Sequence, residues 1–275
     1  MNRTKAIRGA TLIALAVFCS GSIPPAVAQT GSAAAAGYPD ETSTGVPPGT
    51  ALTKQTGVIE ITTDGTVLEN IDLVGAIIVK AKDVTVRKSR ITSATPWHLI
   101  YVIDGNTGFR LEDSELIGNG TTVNGVLGYG DFVRNNIHGF ENGLNIWGPA
   151  RVEGNYIHGL AGGPEAHFDA IECNAGSDVS ILGNTLMNEN TDTSALMINN
   201  EFGPLENWVI DGNRMSGGGY TMYIDPRKSA RPVGNIRITN NRWGKGYYGY
   251  NAFYGFAPDV WSGNVDDVTG APVLP

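Results

Sequence analysis

The stretch His167-Phe168-Asp169-Ala170-Ile171-Glu172 places an imidazole and two carboxyl groups within six residues. Glu172 could divide labour with a carboxyl farther along the chain, one held protonated as a general acid while the other activates water. A third carboxyl, Asp225, ends the segment Thr221-Met-Tyr-Ile-Asp225. A rival chemistry is β-elimination on a uronate, which needs a base for the C5 proton and a cation or amide to quench the carboxylate. His167, Tyr220, Tyr223 and Lys228 are candidate bases, and Asn174, Asn199 and Arg227 are candidate quenchers. Asp169, Glu172 and Asp225 could together hold a Ca²⁺, a hard cation that takes carboxylate oxygens. These residues leave hydrolysis and elimination both open.

What must position them is a repeat. The pattern V/I/L-x-x-N/S-x-apolar recurs as Val86-Arg-Lys-Ser89-Arg-Ile91, Leu111-Glu-Asp-Ser114-Glu-Leu116 and Phe132-Val-Arg-Asn135-Asn-Ile137. It continues as Val152-Glu-Gly-Asn155-Tyr-Ile157, Ile181-Leu-Gly-Asn184-Thr-Leu186, Ile210-Asp-Gly-Asn213-Arg-Met215 and Ile238-Thr-Asn-Asn241-Arg-Trp243. A fixed core motif with variable spacing is what a solenoid tolerates, because strands keep register while loops on one side take insertions. The segments are rich in β-branched residues and punctuated by Gly and Asn, with no amphipathic run of helical length. They predict an all-β, single-domain right-handed parallel β-helix, with the Asn/Ser column stacked as a hydrogen-bonded ladder inside a turn.

A second strand follows each motif after a loop: Gly125–Tyr129, Gly143–Trp147, Ala170–Asn174, Ala195–Asn199, Thr221–Asp225 and Asn251–Gly255. Period-two alternation turns Val126, Leu144, Ile171, Leu196, Met222, Ile146, Cys173, Ile198 and Ile224 inward. Cys173 is then a buried apolar thiol and not a nucleophile. The outward positions are Asn145, Glu172, Met197, Tyr223 and Phe253, with Tyr129, Trp147, Asn174, Asn199 and Asp225. Aromatic rings beside planar amides and carboxylates fit a sugar-binding groove, in which rings stack on pyranose faces and amides fix hydroxyls. Glu172 and Asp225 lie two coils apart, about 9–10 Å along the rod, near the upper end for an inverting carboxylate pair. The inserts at 159–169, 187–194 and 200–207 are long enough to fold over this face. Asp169 shares a turn column with Asn124, Asn142 and Ser194, and His138 and His158 share another, each in an Ile-His-Gly triplet.

The junction around Asp169 resembles that of the pectin-lyase-like β-helix superfamily, including polygalacturonases, whose Asn-Thr-Asp-Gly-Ile-Asp signature occupies the same turn-to-strand position. The resemblance implies that Asp169 matches a catalytic acid and Glu172 the outward carboxylate after it. It departs from the polygalacturonase pattern in the next coil, where Ser194-Ala195 stands in place of an Asp-Asp pair, and in lacking Gly-His-Gly and Arg-Ile-Lys elements. Those departures argue against polygalacturonase chemistry itself. Nearly the whole chain past residue 28, including Gly37-Tyr-Pro and Gly45-Val-Pro-Pro-Gly49, is also similar to bacterial exported β-helix repeat proteins, a likeness that implies no activity.

The first 28 residues read as a signal peptide: Arg3, Lys5 and Arg8, then the apolar run Ala10–Phe18, then Ala26-Val27-Ala28. Residues 29–50 read as a join and 51–275 as the β-helix with a C-terminal closing segment. Cleavage after Ala28 predicts a secreted protein and, by removing three basic residues and no acidic one, takes the formal net charge from −8 to −11. That balance argues against a nucleic-acid partner, which needs clustered Lys and Arg. No further segment reads as membrane-spanning, and only Cys173 remains past the leader, so no internal disulfide is expected. The expectation is a monomer that binds and cleaves a polysaccharide, with a non-catalytic glycan-binding or surface-adhesive module as the alternative.

Overall fold

The computed structural model describes residues 37–275 and is an all-β parallel β-helix, its strands joined in one largely parallel sheet that winds into a three-faced stack. The expected leader and residues 29–36 lie outside the described residues. One coil shows the plan. Val179–Leu182 lies on the first face, the chain turns at Gly183–Asn184, Thr185–Asn188 lies on the second, and Ser194–Asn199 on the third. Each strand pairs in parallel with its counterparts one coil before and after, as Ser194–Asn199 does with Asp169–Cys173 and Tyr220–Asp225.

The turn between the first and second faces carries the ladder. Ser89, Ser114, Asn135, Asn155, Asn184, Asn213 and Asn241 are all fully buried. The backbone N–H of Asn155 donates to Asn184 Oδ1 at 2.8 Å, and the Asn184 amide donates back to the Val152 carbonyl at 2.9 Å. Every rung thus satisfies a turn donor that the parallel ladders leave unpaired, which is why the column is polar although dry. The structure extends the column at both ends. Asn264 accepts from the Asn241 N–H at 3.2 Å, and at the other end Ile71 occupies the position, its N–H donating to Ser89 Oγ.

The residue before each rung is left-handed: Asn70, Lys88, Asp113, Arg134, Gly154, Gly183, Gly212, Asn240 and Gly263 all have φ between 48° and 67°. This conformation makes the sharp turn, and it explains the recurring Gly-Asn pairs, since glycine adopts it without a Cβ penalty.

Inside, the inward positions stack into one continuous core. Val126, Leu144, Ile171, Leu196 and Met222 are buried, as are Ile146, Cys173, Ile198 and Ile224. Burial pushes the Cys173 thiol up to about 12, so it is an inert filler. Phe253 departs from expectation. Met222 pairs with Asn251 and Tyr223 with Ala252, one residue out of the expected register, so Phe253 turns into the core.

Residues 37–50 run back along the second face. The Tyr38 hydroxyl lies in the field of Arg242, Asp267 and Arg214 near the C-terminal coils. Farther on, Gly45 N–H donates to the Arg134 carbonyl at 3.0 Å, before the chain enters the first strand at Thr53.

Candidate functional site

The third face carries two outward columns and one turn column, and their register assembles the site. Asn124, Asn142, Asp169 and Ser194 stand in line in the turn column. Asn145, Glu172, Met197 and Tyr223 form the next, and Asn199 and Asp225 pair in the one beyond. Loops from the inserts wall this face without closing it. They leave a cleft of about 370 Å³ lined by His167, Asp169, Glu172, Asn174, Asn199, Tyr223, Asp225 and Lys228, with Thr193, Met197, Glu201 and Tyr254 completing the wall.

Asp169 is 2% exposed and sits at the floor. Its Oδ1 accepts from the Ser194 N–H at 3.0 Å and from the Ser194 hydroxyl at 2.7 Å. Burial pushes its carboxyl well above the ordinary range, and the Glu172 charge adds to this while the Ser194 hydroxyl opposes it. Burial also raises Glu172, opposed by the Asn174 amide. Glu172 is held from three sides. Oε2 accepts from Asn142 at 3.1 Å and Asn145 at 2.5 Å, and Oε1 accepts from Asn174 at 2.8 Å. These donors are themselves held, since Trp147 Nε1 donates to Asn145 Oδ1 at 2.6 Å and the Asn199 amide donates to Asn174 Oδ1. The expected binding residue Asn145 is therefore buried behind Glu172, where it orients the carboxylate.

Asp225 does not partner Glu172. The register places Tyr223 in the Glu172 column, with Asp225 two residues farther along the strand. Its carboxylate is gripped by Arg227, Nε to Oδ1 at 2.8 Å and a terminal nitrogen to Oδ2 at 2.9 Å, and that guanidinium lowers its pKa. An ionised, paired Asp225 is neither a general acid nor a free base. The same pairing takes Arg227 from the quencher role, since its guanidinium also caps the Tyr254 ring at 3.6 Å from the centroid.

A calcium site at Asp169, Glu172 and Asp225 does not fit either. Three amides occupy Glu172, Ser194 holds Asp169 and Arg227 neutralises Asp225. Among the described residues no group of three or more His, Cys, Asp or Glu is placed to hold a metal ion.

Tyr223 is pushed up to about 12, chiefly by burial, which disqualifies it as a base near neutral pH. It belongs instead to a run of rings at the C-terminal rim. Tyr254, Tyr223, Tyr220, Tyr248 and Tyr247 follow one another at centroid distances of 6.2, 5.5, 5.8 and 4.8 Å. Tyr220 thus stands beside the cleft, in the rim.

On the N-terminal side Tyr129 and Trp147 line a separate hollow of about 330 Å³ with Tyr101, Asp104, Leu127 and Phe202. Phe202 lies parallel to Trp147 at 5.7 Å. Away from this face, His138 and His158 stack on the second face at 5.1 Å, consistent with their shared repeat column.

Sequence reasoning missed Thr193, Glu201, Tyr254 and Phe202. The first two sit at the ends of inserts, which carry no periodicity to place them. Tyr254 was hidden by the register shift at Phe253. No family model, curated protein or solved structure matches the chain.

Proposed function

We propose that the third face binds a glycan and that the Asp169–Glu172 cleft hydrolyses one of its glycosidic bonds. One observation carries this reading: two carboxyl groups, both driven toward the neutral form by burial, line a single cleft with an aromatic hollow on one side and a rim of tyrosines on the other. Asp169 is the acid, kept protonated by its dry floor, with Ser194 fixing one oxygen so that the other presents the proton to the leaving oxygen. Glu172 is the base. The amides around it favour its charged form and aim it at water. Both residues stand on the strand Asp169–Cys173 and line the same cleft, so one glycosidic bond can lie against both.

Hydrolysis is favoured over elimination because two of the groups that elimination could use are otherwise engaged. Arg227 is tied to Asp225, and Tyr223 holds its proton. With Asp169 protonated and Asp225 paired to Arg227, Glu172 and Glu201 remain as open carboxylates beside Lys228, a balance that offers a uronate no net positive counter-charge and suits a neutral glycan better. The likeness of the Asp169 junction to pectin-lyase-like β-helices agrees with a polysaccharide ligand, and the leader-like first 28 residues agree with an exported protein.

The second reading is a glycan-binding module without turnover. It is favoured by the near-complete burial of Asp169 and by the engagement of both Glu172 oxygens. A panel of neutral and acidic polysaccharides, followed for reducing ends and for unsaturated-uronate absorbance, separates the readings. Reducing ends that vanish in both Glu172→Gln and Asp169→Asn support hydrolysis. Unsaturated uronate would assign elimination, and binding without products, unchanged in both variants, would assign the module.

A further inference from the structure

The first strand, Thr53–Ile61, pairs with Ile71–Val79 on one side, and among the described residues it has no partner on the other. It is a nine-residue open edge without proline, and such edges recruit further strands unless they are blunted. Thr53 N–H donates to Asn70 O, and Ile61 O accepts from Lys80 N–H. In a parallel pair both groups of one residue point the same way, and successive residues alternate. The odd-numbered residues therefore face the next coil. The free N–H and C=O groups belong to Lys54, Thr56, Val58 and Glu60, whose side chains are all exposed.

The strand is bent at its middle. Gly57 has φ 99° and pairs with Gly75, where the following strand passes from the second face, beside Arg90–Ser93, to the third, beside His98–Val102. Four residues lie on each arm of this corner. A two-fold axis through Gly57, perpendicular to the solenoid axis, exchanges the arms and reverses the chain direction.

We propose that this end of the solenoid docks a second copy of the same chain, the two Thr53–Ile61 edges pairing antiparallel about Gly57. In that register Lys54 faces Glu60 of the second copy and Thr56 faces Val58. These are the residues whose backbone groups are free, so every open donor meets an open acceptor. The charges are complementary twice, once on each arm, and the inner face pairs a β-branched residue with another, both favourable cross-strand neighbours. Glu60 keeps its bridge to Lys80 at 2.7 Å, half-exposed and able to take a second cation. A centre one residue away would still set open groups opposite open groups, but it would move the two Gly57 corners out of coincidence. The two-fold contact uses both copies of the Thr53–Ile61 edge at once and so stops at two copies.

The test is sedimentation equilibrium on the full chain, with Lys54→Glu, Glu60→Lys and an equimolar mixture of the two, alongside residue-resolved amide exchange. The expected result is a dimer with slowed exchange at Lys54, Thr56, Val58 and Glu60. Each variant alone puts like charges opposite one another twice and weakens association by about tenfold or more, whereas the mixture restores opposite charges on both arms and recovers the dimer. Melting curves check that both variants stay folded. A chain that stays monomeric, or a dimer indifferent to both substitutions, overturns the proposal. So does slowed exchange at those four amides in a monomer, which would place another part of the same chain on the edge.

Discussion

Arg227 clamps Asp225 with two near-parallel hydrogen bonds of 2.8 and 2.9 Å, from a position only two residues farther along the chain. The clamp divides the three candidate carboxyls by role. Asp225 is ionised and satisfied at the rim, whereas Asp169 and Glu172 are raised by burial. Asp225→Asn is therefore expected to keep glycan turnover within a few-fold of the native chain. Glu172→Gln should lower it by about 10²-fold or more, the usual weight of a positioned acid or base. Initial rates of reducing-end release on a substrate found in the panel compare the two, and equal losses would put Asp225 back into the chemistry.

Asp169 also predicts a stability signature. Its carboxyl is raised in the folded chain, whereas an unfolded Asp ionises near its ordinary value of 3.8. The stabilising contribution of a raised carboxyl is full below the unfolded value and is lost as pH climbs toward the folded one. At neutral pH the buried acid is thus a cost, of the kind that sites reserved for chemistry carry. Asp169→Asn keeps an oxygen for the two Ser194 hydrogen bonds and removes the titration. The melting temperature of the variant is expected to exceed that of the native chain at pH 7 and to converge with it near pH 3.5. A difference of the same size at both pH values would show that Asp169 does not titrate as described.

The fold was legible because its turn chemistry repeats. A buried Asn or Ser three residues after an apolar one has few explanations other than a stacked ladder, and the alternation beyond it put nine core positions in place. The ends of the column escaped because Ile71 replaces the polar rung and because Trp261 and Asp266 replace the usual aliphatic flanks of Asn264. Phe253 was misplaced by one residue, enough to exchange inside for outside. At the site, Asp169 and Glu172 follow from strand position. The Asp225–Arg227 clamp does not, because a contact between neighbouring residues beyond a strand end depends on loop geometry and not on period.

The ladder itself can be tested at Asn184. Its Oδ1 accepts from the N–H and side-chain amide of Asn155, and its own amide donates to Val152 O and Asn213 Oδ1. Asn184→Ala would leave the buried Asn155 N–H and the Val152 carbonyl without these partners, at a cost of about 3 kcal/mol. Asn184→Ser should cost less, because serine at Ser114 already accepts from the Ser89 N–H at 3.2 Å in an equivalent rung. Urea denaturation should rank the midpoints native, then Ser, then Ala, at constant m-value. Equal midpoints for Ser and Ala would mean that the acceptor contributes nothing.

The left-handed residue before each rung offers a paired experiment in which side-chain contacts play little part. Lys88 has φ 48° and Gly183 has φ 58° at the same place in the coil, and a Cβ built on Gly183 meets nothing within 4 Å. A side chain there is penalised by its own backbone and by no neighbour. Left-handed geometry costs an L-residue about 1–2 kcal/mol, part of which glycine gives back through its freer unfolded chain. Lys88→Gly is therefore expected to stabilise the solenoid by about 1 kcal/mol, and Gly183→Ala to destabilise it by a similar amount. The two sites lie several coils apart without a shared partner, so the double variant should melt close to the native chain. Calorimetric scans of the four proteins give the answer, and a Lys88→Gly chain that melts lower than native would show that the lysine makes a contact worth more than the strain it bears.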